Sequence, residues 1–211
     1  MKYNKINTPI EWIFFDVGST LVDETKAYIH RVYDMIDGTD ISFEEFEKKR
    51  VELSSTGKDG NIAAISFFNL TKTPWHSEDE TLYDGVHEIL SYLRDKGYNL
   101  GIIANQNKGL CERLSTWDIR KYFDIVISSS DFEYAKPELK IFEIAITKSN
   151  TNAEKCVMIG DRIDNDIIPA KVVGMKTVWI KNGFSAIQDD KICGKNADAI
   201  VYTLNDLKEI F

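Results

Sequence analysis

The chain has 211 residues, of which 43% are hydrophobic, and this length fits one domain or one domain that carries an insertion. Its 26 Lys and Arg residues are outnumbered by 34 Asp and Glu residues, which gives a formal net charge of −8. The hydrophobic content excludes wholesale disorder, and the acidic balance argues against the binding of nucleic acids or anionic membranes.

The first predicted element is a strand over 10–15, and residues 24–80 that follow it show only helical patterns. Apolar residues at three- and four-residue spacing mark a first helix in this segment. Ser42 and Glu45 have the spacing of a capping box, which predicts the start of a second helix, and a third helix is predicted over 61–70. We therefore expect an all-helical cap inserted directly after the first strand.

Beyond residue 80, short β-rich runs alternate with amphipathic helical patterns. The predicted strands cover 100–104, 125–127, 156–159, 177–180 and 199–202, and the predicted helices lie around 86–93, 107–116, 138–148, 166–173 and 204–211. Such alternation implies parallel strands joined by helical crossovers, and hence an α/β fold with helices on both faces of the sheet. The predicted core covers residues 1–22 and 81–211, and the predicted cap covers 23–80.

Polar residues follow four of the predicted strands. The four stretches are Asp16-Val17-Gly18-Ser19, Asn105-Gln106, Lys136-Pro137 and the run from Gly160-Asp161 to Asp166. Because the carboxyl ends of parallel strands open onto one crevice, we expect these side chains to lie close together. The cap, which leaves the first strand beside the same crevice, would cover it.

The convergence of Asp16, Asp161 and Asp166 would crowd three carboxylates into a small volume. Two such charges 4 Å apart repel by about 4 kcal/mol at an effective dielectric near 20, so a cation must offset them. Mg²⁺ suits a site of few carboxylates, and Lys136 supplies a fixed positive charge. A carboxylate in these surroundings can attack a phosphoryl group, and Gly18 lets backbone N–H groups approach the phosphate closely.

The same stretches resemble the motifs of the haloacid dehalogenase-like hydrolase superfamily. The resemblance rests on the run from Asp16 to Leu21, on Ala135-Lys136-Pro137 and on the run from Gly160 to Asp166, in that order. It covers nearly the whole chain outside the helical insertion, which is similar to the helical cap of that superfamily. It implies a Rossmann-like core, a Mg²⁺ cofactor and phosphatase activity on a small phosphorylated metabolite.

The resemblance also implies a role for each matching residue. Asp16 would be the nucleophile, and it would bind the metal together with the backbone carbonyl of Gly18 and the carboxylate of Asp161. Lys136 would stabilise the charge on Asp16 and on the phosphate. Asp166 would orient Lys136 or a water molecule on the metal.

Two positions depart from the pattern of the superfamily's phosphatases. Gly18 stands where they place a second Asp, which protonates the leaving group and then activates water. Such general acid–base help is typically worth 10²–10⁴-fold in rate. Ala104 stands where a Ser or Thr hydroxyl usually meets the phosphate, and we expect the side-chain amide or backbone N–H of Asn105 to replace it. Gly18 and Ser19 are expected to bind the phosphate through backbone N–H groups, beside Lys136.

These departures leave three interpretations open, of which a phosphatase is favoured. It would be a slow enzyme or one restricted to good leaving groups. The second interpretation is a hydrolase of carbon–halogen or carbon–phosphorus bonds. The carbon–phosphorus chemistry needs a cap lysine for a Schiff base, for which the candidates are Lys26, Lys48, Lys49, Lys58 and Lys72. The third is a phosphate-binding or regulatory protein without catalysis.

Cys111, Cys156 and Cys193 are odd in number and far apart, which fits neither a disulfide framework nor a zinc site. Free thiols are typical of a reducing compartment, so we expect a cytoplasmic protein. No apolar run approaches the roughly 20 residues that cross a bilayer, so we expect no membrane span. The resemblance implies a small phosphorylated substrate, the acidic balance predicts no nucleic acid, and no protein partner can be read from the sequence.

Overall fold

The computed structural model describes residues 6, 8–54, 59–190 and 194–211. The strands are β1 (Trp12–Phe15), β2 (Val22–Asp23), β3 (Thr81–Leu82), β4 (Asn99–Ala104), β5 (Ile125–Ser128), β6 (Cys156–Gly160), β7 (Lys176–Ile180) and β8 (Ala199–Val201). The helices are α1 (Thr25–Ile36), α2 (Phe43–Ser54), α3 (Gly60–Phe67), α4 (Val86–Asp95), α5 (Leu110–Thr116), α6 (Leu139–Ser149) and α7 (Ile168–Val172).

Six of the strands form one parallel sheet in the order β5-β4-β1-β6-β7-β8. Helices cover both of its faces, as the burial of consecutive strand residues requires. On one face Ile13 and Phe15 of β1 belong to a cluster with Leu93 of α4. On the other face Phe14 clusters with Phe142 of α6. The predicted α/β fold is confirmed, because residues that alternate along β1 are buried against different helices.

The helical cap consists of α1, α2 and α3, which share a hydrophobic cluster of their own. The predicted capping box at the start of α2 is present, since the Glu45 N–H donates to Ser42 Oγ at 3.2 Å and the Ser42 N–H donates to Glu45 Oε2 at 2.9 Å. At the base of the cap β2 and β3 form an antiparallel pair that the sequence did not predict. With two residues each, they are too short to show the alternation of a strand.

Two predicted helices differ in detail from what the structure contains. The helix predicted over 166–173 begins as a π-helical turn over Ile163–Ile167 and continues as α7. The element predicted over 204–211 is a 3₁₀ helix over Leu204–Glu209. Within the part of the chain that the structure describes, none of the helices combines the length and apolar character needed to cross a membrane. Cys111 and Cys156 are free thiols, and Cys193 lies outside the described residues.

Candidate active site

The polar strand ends meet in a cavity at the carboxyl edge of the sheet. From β1 the next strands of the sheet, β4 and β5, lie to one side, and from β6 the next strands, β7 and β8, lie to the other. The strand order therefore reverses between β1 and β6. Ligands bind at such points in open α/β sheets. The cavity there has a volume of about 460 Å³, and its lining combines Asp16, Lys136 and Asp161 from the sheet edge with Arg50 and Asp59 from the cap.

Lys136 is the centre of the polar network. Its side chain is fully buried, and Nζ donates to Asp16 Oδ1 at 2.7 Å and to Asp166 Oδ1 at 2.5 Å. Burial lowers the pKa of Lys136, but the charges of Asp16 and Asp166 together outweigh it, so the net shift is upward. The lysine therefore carries its positive charge directly beside the predicted nucleophile.

Asn105 holds this lysine through its backbone. The Asn105 side chain donates to the Lys136 carbonyl at 2.7 Å and accepts from the Lys136 N–H at 2.7 Å. Ala104, the last residue of β4, is buried and offers no polar group. The predicted phosphate contact of Asn105 stays a prediction, because the contacts of its side chain in the structure are with Lys136.

Asp161 and Asp166 complete a cluster of three carboxylates with Asp16, in which one oxygen of each lies within 4.8 Å of the others. Asp161 and Asp166 are almost fully buried. Burial, followed by the charges of Asp166 and Asp16, raises the pKa of Asp161 well above its usual range. Burial also raises the pKa of Asp166 to about 6, with Lys136 opposing the shift. Both shifts are caused chiefly by burial, and repulsion from the neighbouring carboxylates adds to them.

Gly160 makes room for this cluster. A Cβ atom at this position would lie 2.5 Å from Cβ of Asp166, so the carboxylate can approach the strand end only because the residue is glycine. Asp166 is fixed further by the Arg162 N–H, which donates to its Oδ2 at 3.0 Å. The Asp161 carbonyl in turn accepts from Trp179 Nε1 at 2.7 Å in the core.

The loop after β1 contains Gly18 and Ser19, and it turns back toward the start of α1. The Ser19 N–H donates to the Val22 carbonyl at 2.8 Å, and its hydroxyl donates to Glu24 Oε2 at 3.1 Å. Both donors of Ser19 are thus engaged within the loop, and the phosphate contact expected of Ser19 stays a prediction. Its φ of 54° places Ser19 in the left-handed region, where non-glycine residues are uncommon.

Glu24 is a residue of the site that sequence reasoning missed. Its carboxyl lines the cavity beside Asp16 and Gly18. Desolvation is the largest cause that raises the pKa of Glu24 to about 8, and the charges of Asp16 and Glu80 add to it. A glutamate just before a helix is too common to be conspicuous in a sequence. The glycine at position 18 was the one signal that a side chain from elsewhere could enter this space.

Arg162 links the sheet edge to the cap across the cavity. Its Nη1 donates to Asp59 Oδ2 at 2.7 Å, and its Nη2 donates to Asp164 Oδ2 at 2.8 Å. Asp59 also caps α3, since its Oδ1 accepts from the Ile62 N–H at 3.0 Å. The Asp59 carboxylate thus caps the N-terminus of α3 and also forms a salt bridge to the core of the fold.

Comparison with known proteins decides the family. A family model described as haloacid dehalogenase-like hydrolase matches residues 13–180. The chain belongs to this family. A glyceraldehyde 3-phosphate phosphatase of Pyrococcus abyssi is 35% identical to this haloacid dehalogenase-like hydrolase, over 82% of each chain. Pyrophosphatase PpaX of Bacillus velezensis is 24% identical, over 90% of this chain and 95% of the relative.

A solved structure supports the same placement. The crystal structure of a HAD phosphatase from Thermococcus onnurineus has a TM-score of 0.67 to this haloacid dehalogenase-like hydrolase, at 28% identity. It covers 95% of this chain, and this chain covers 97% of it. The predicted family, the Rossmann-like α/β fold and the assignment to hydrolases of the phosphatase type are confirmed. The structure brings Asp16, Gly18, Lys136, Asp161 and Asp166 together, and their individual roles remain proposals.

Proposed function

We propose that this hydrolase removes a phosphate group from a small phosphorylated metabolite through an aspartyl-phosphate on Asp16. One observation carries the proposal: the Asp16 carboxylate lines the cavity and lies 2.7 Å from the buried Nζ of Lys136. The lysine fixes the orientation of the carboxylate that would attack phosphorus. It also places a positive charge where the phosphate oxygens would lie.

The donor set fits a Mg²⁺ cofactor. The cluster of Asp16, Asp161 and Asp166 presents carboxylate oxygens, which are the donors that Mg²⁺ prefers, within 4.8 Å of one another. We propose that Asp16, Asp161 and the Gly18 carbonyl hold the ion. When bound, Mg²⁺ would neutralise charge on the phosphate oxygens.

The chain's own residues would divide the remaining work. Lys136 would stabilise charge on the phosphate, and Asp166, bonded to both Nζ of Lys136 and the Arg162 N–H, would keep the lysine in place. Asn105 would fix the position of the Lys136 backbone through its two hydrogen bonds, and so keep the side chain of the lysine beside Asp16. We propose that the second amide hydrogen of Asn105 and the loop at Ser19 meet the phosphate oxygens.

The cavity volume of about 460 Å³ suits a metabolite-sized ligand. Because relatives are glyceraldehyde 3-phosphate phosphatases, that triose phosphate is the first substrate to test. We also propose a division into a core of 1–22 and 81–211 and a cap of 23–80, supported by the separate hydrophobic cluster of α1–α3. A cytoplasmic location is proposed from the unpaired thiols of Cys111 and Cys156.

The carbon–phosphorus alternative lacks its reactive amine in the described part of the chain. Of the lysines considered for that role, Lys26, Lys48, Lys49 and Lys72 are described, and none lines the cavity. Lys58 lies outside the described residues. The only described lysine that lines the cavity is Lys136, and both of its acidic partners hold it as an ammonium.

The experiment that tests the proposal is hydrolysis of 4-nitrophenyl phosphate with and without Mg²⁺, beside an Asp16→Asn variant. We expect turnover that depends on Mg²⁺ and that the variant abolishes. Asp84→Asn, on the exposed surface before α4, is the matched control and should retain wild-type turnover. Equal turnover in wild type and Asp16→Asn would contradict the nucleophile, and absence of turnover in the wild type would contradict the phosphatase.

A further inference from the structure

The space beside Gly18 is filled by a carboxyl group from another element. A Cβ atom built on Gly18 would lie 2.6 Å from Cδ and 2.6 Å from Oε2 of Glu24. The Glu24 carboxyl therefore occupies the volume that a longer side chain at position 18 would need. It reaches that volume from the start of α1, six residues further along the chain.

The position of this carboxyl is not explained by the helix that Glu24 precedes. Glu24 is the N-cap residue of α1, yet its side chain makes no capping hydrogen bond to that helix. It accepts instead from the Ser19 hydroxyl at 3.1 Å, which points the carboxyl into the cavity. An N-cap side chain normally satisfies the free N–H groups of the first turn. Here the side chain is directed at the site.

The proposed reaction needs a group that can give a proton to the departing oxygen and take one from water. Five carboxyl side chains line the cavity among the described residues: Asp16, Glu24, Asp59, Asp161 and Asp164. Asp16 is paired with Lys136, and Arg162 binds both Asp59 and Asp164. Asp161 belongs to the buried cluster proposed to hold Mg²⁺. Of these five described carboxyls, Glu24 is the one for which the structure shows neither a salt bridge nor a ligand role, although the charge of Arg113 is near enough to lower its pKa.

We propose that Glu24 is the catalytic acid and base of this enzyme and replaces the side chain that Gly18 lacks. The proposal rests on the phosphatase function argued above. In the first step the phosphorus–oxygen bond to the alcohol breaks while Asp16 bonds to phosphorus, and the Glu24 carboxyl gives its proton to the departing oxygen. In the second, water attacks phosphorus, its proton passes to the Glu24 carboxylate, and inorganic phosphate leaves Asp16.

The glycine and the glutamate form one unit in this proposal. A side chain at position 18 and the Glu24 carboxyl cannot occupy the same space, so Gly18→Asp alone must displace Glu24. The substitution would then exchange one acid for another. The double variant Gly18→Asp/Glu24→Ala removes the conflict and places a carboxyl in the same region from the other side.

The test compares kcat/KM for two substrates, because this ratio reports the steps up to phosphorylation of Asp16. The 4-nitrophenolate leaving group of an aryl phosphate needs no proton, whereas the alkoxide of glycerol 3-phosphate does. For Glu24→Gln we expect a loss of about 100-fold or more on glycerol 3-phosphate and of less than tenfold on 4-nitrophenyl phosphate. Asp23→Asn, one residue earlier and outside the cavity lining, should change neither ratio. Circular dichroism confirms that the variants fold.

The double variant Gly18→Asp/Glu24→Ala should recover at least a tenth of the wild-type kcat/KM on glycerol 3-phosphate, whereas Glu24→Ala alone should not. The proposal holds only if the loss in Glu24→Gln is selective for the alkyl ester and the double variant recovers it. An equal loss on both substrates, no loss, or no recovery overturns it. If the wild type hydrolyses neither ester, the phosphatase function itself is refuted. If the wild type hydrolyses both esters but the variants do not behave as expected, only the role of Glu24 is refuted.

Discussion

Replacement of Lys136 by Met should lower the free energy of unfolding as well as the rate of catalysis. Nζ of Lys136 lies 2.7 Å from Asp16 Oδ1 and 2.5 Å from Asp166 Oδ1, and its side chain is fully buried. Each contact is worth about 6 kcal/mol by Coulomb's law at an effective dielectric near 20, before the cost of taking the charges out of water is counted. Met fills a similar volume, so the loss is one of charge and not of packing.

The net effect is smaller than the gross attraction, because burial of the lysine is itself costly. Removal of one partner from a buried ion pair typically costs about 3–5 kcal/mol, since it leaves the other charge uncompensated. We expect a loss of about 3–5 kcal/mol in the free energy of unfolding for Lys136→Met. Two carboxylates lose their cation here, which favours the upper part of that range.

The assay is urea unfolding at pH 8 in EDTA, followed by tryptophan fluorescence and circular dichroism and extrapolated linearly to water. EDTA removes any divalent cation that could replace the lysine charge. Lys140→Met is the matched control, because Lys140 lies four residues further along the chain in α6 and its salt bridge with Glu143 is exposed. Such pairs contribute about 0–1 kcal/mol. If Lys136→Met lost no more than Lys140→Met, the central role of this lysine in the network would be refuted.

Three further predictions address the neighbourhood of the site and the cap. Gly160→Ala should reduce turnover at least tenfold in an aryl phosphate assay, because the new Cβ must push Asp166 away from Lys136. Addition of EDTA should abolish turnover, and added Mg²⁺ should restore it in the same sample. His76→Gln should lower the melting temperature more at pH 6 than at pH 9. Hydrogen bonds to Asp34 and then Glu78 raise the His76 pKa, so its stabilisation is present below the unfolded pKa and lost above the folded one.

Each of these has a control and an outcome that contradicts it. Asp166→Asn should reproduce the loss of Gly160→Ala, and full activity in Gly160→Ala would show that Asp166 does not hold Lys136 in place. Turnover that survives EDTA would exclude the proposed metal dependence. His87→Gln, on the exposed face of α4, is the control and should lower the melting temperature at pH 6 by less than His76→Gln does. A His76→Gln effect that grew with pH would reverse the assigned direction.

The parts of the site that could be predicted from the sequence are those placed by the sheet. Asp16, Lys136 and Asp161 follow apolar strands, and parallel strands bring their ends together whatever the loops between them do. The parallel direction of the strands and the helices on both faces of the sheet follow from the same alternation, whereas the order of the strands was not predicted. The core of the fold is therefore visible in the periodicity of hydrophobic residues.

The parts that the sequence did not predict depend on side chains that meet across long separations or on very short elements. Asn105 binds the Lys136 backbone from 31 residues away, and Arg162 binds Asp59 from 103 residues away. No local pattern marks either pair. Glu24 was missed for another reason: the tight loop from Val17 to Val22 turns its carboxyl back onto Gly18, and loop conformation is not encoded in hydrophobic spacing.

Asp59 links the N-terminus of helix α3 in the cap to a residue that lines the cavity. Its two carboxylate oxygens serve different partners, the Ile62 N–H at the start of α3 and the guanidinium of Arg162. Asp59 and Arg162 both line the cavity, so a phosphorylated ligand bound there would compete with Asp59 for the Arg162 guanidinium. If the ligand bound Arg162, Asp59 would lose its salt bridge and keep only its hydrogen bond to the Ile62 N–H at the start of α3. The first turn of α3 thus becomes a local reporter of ligand binding, readable from the amide exchange rate of Ile62.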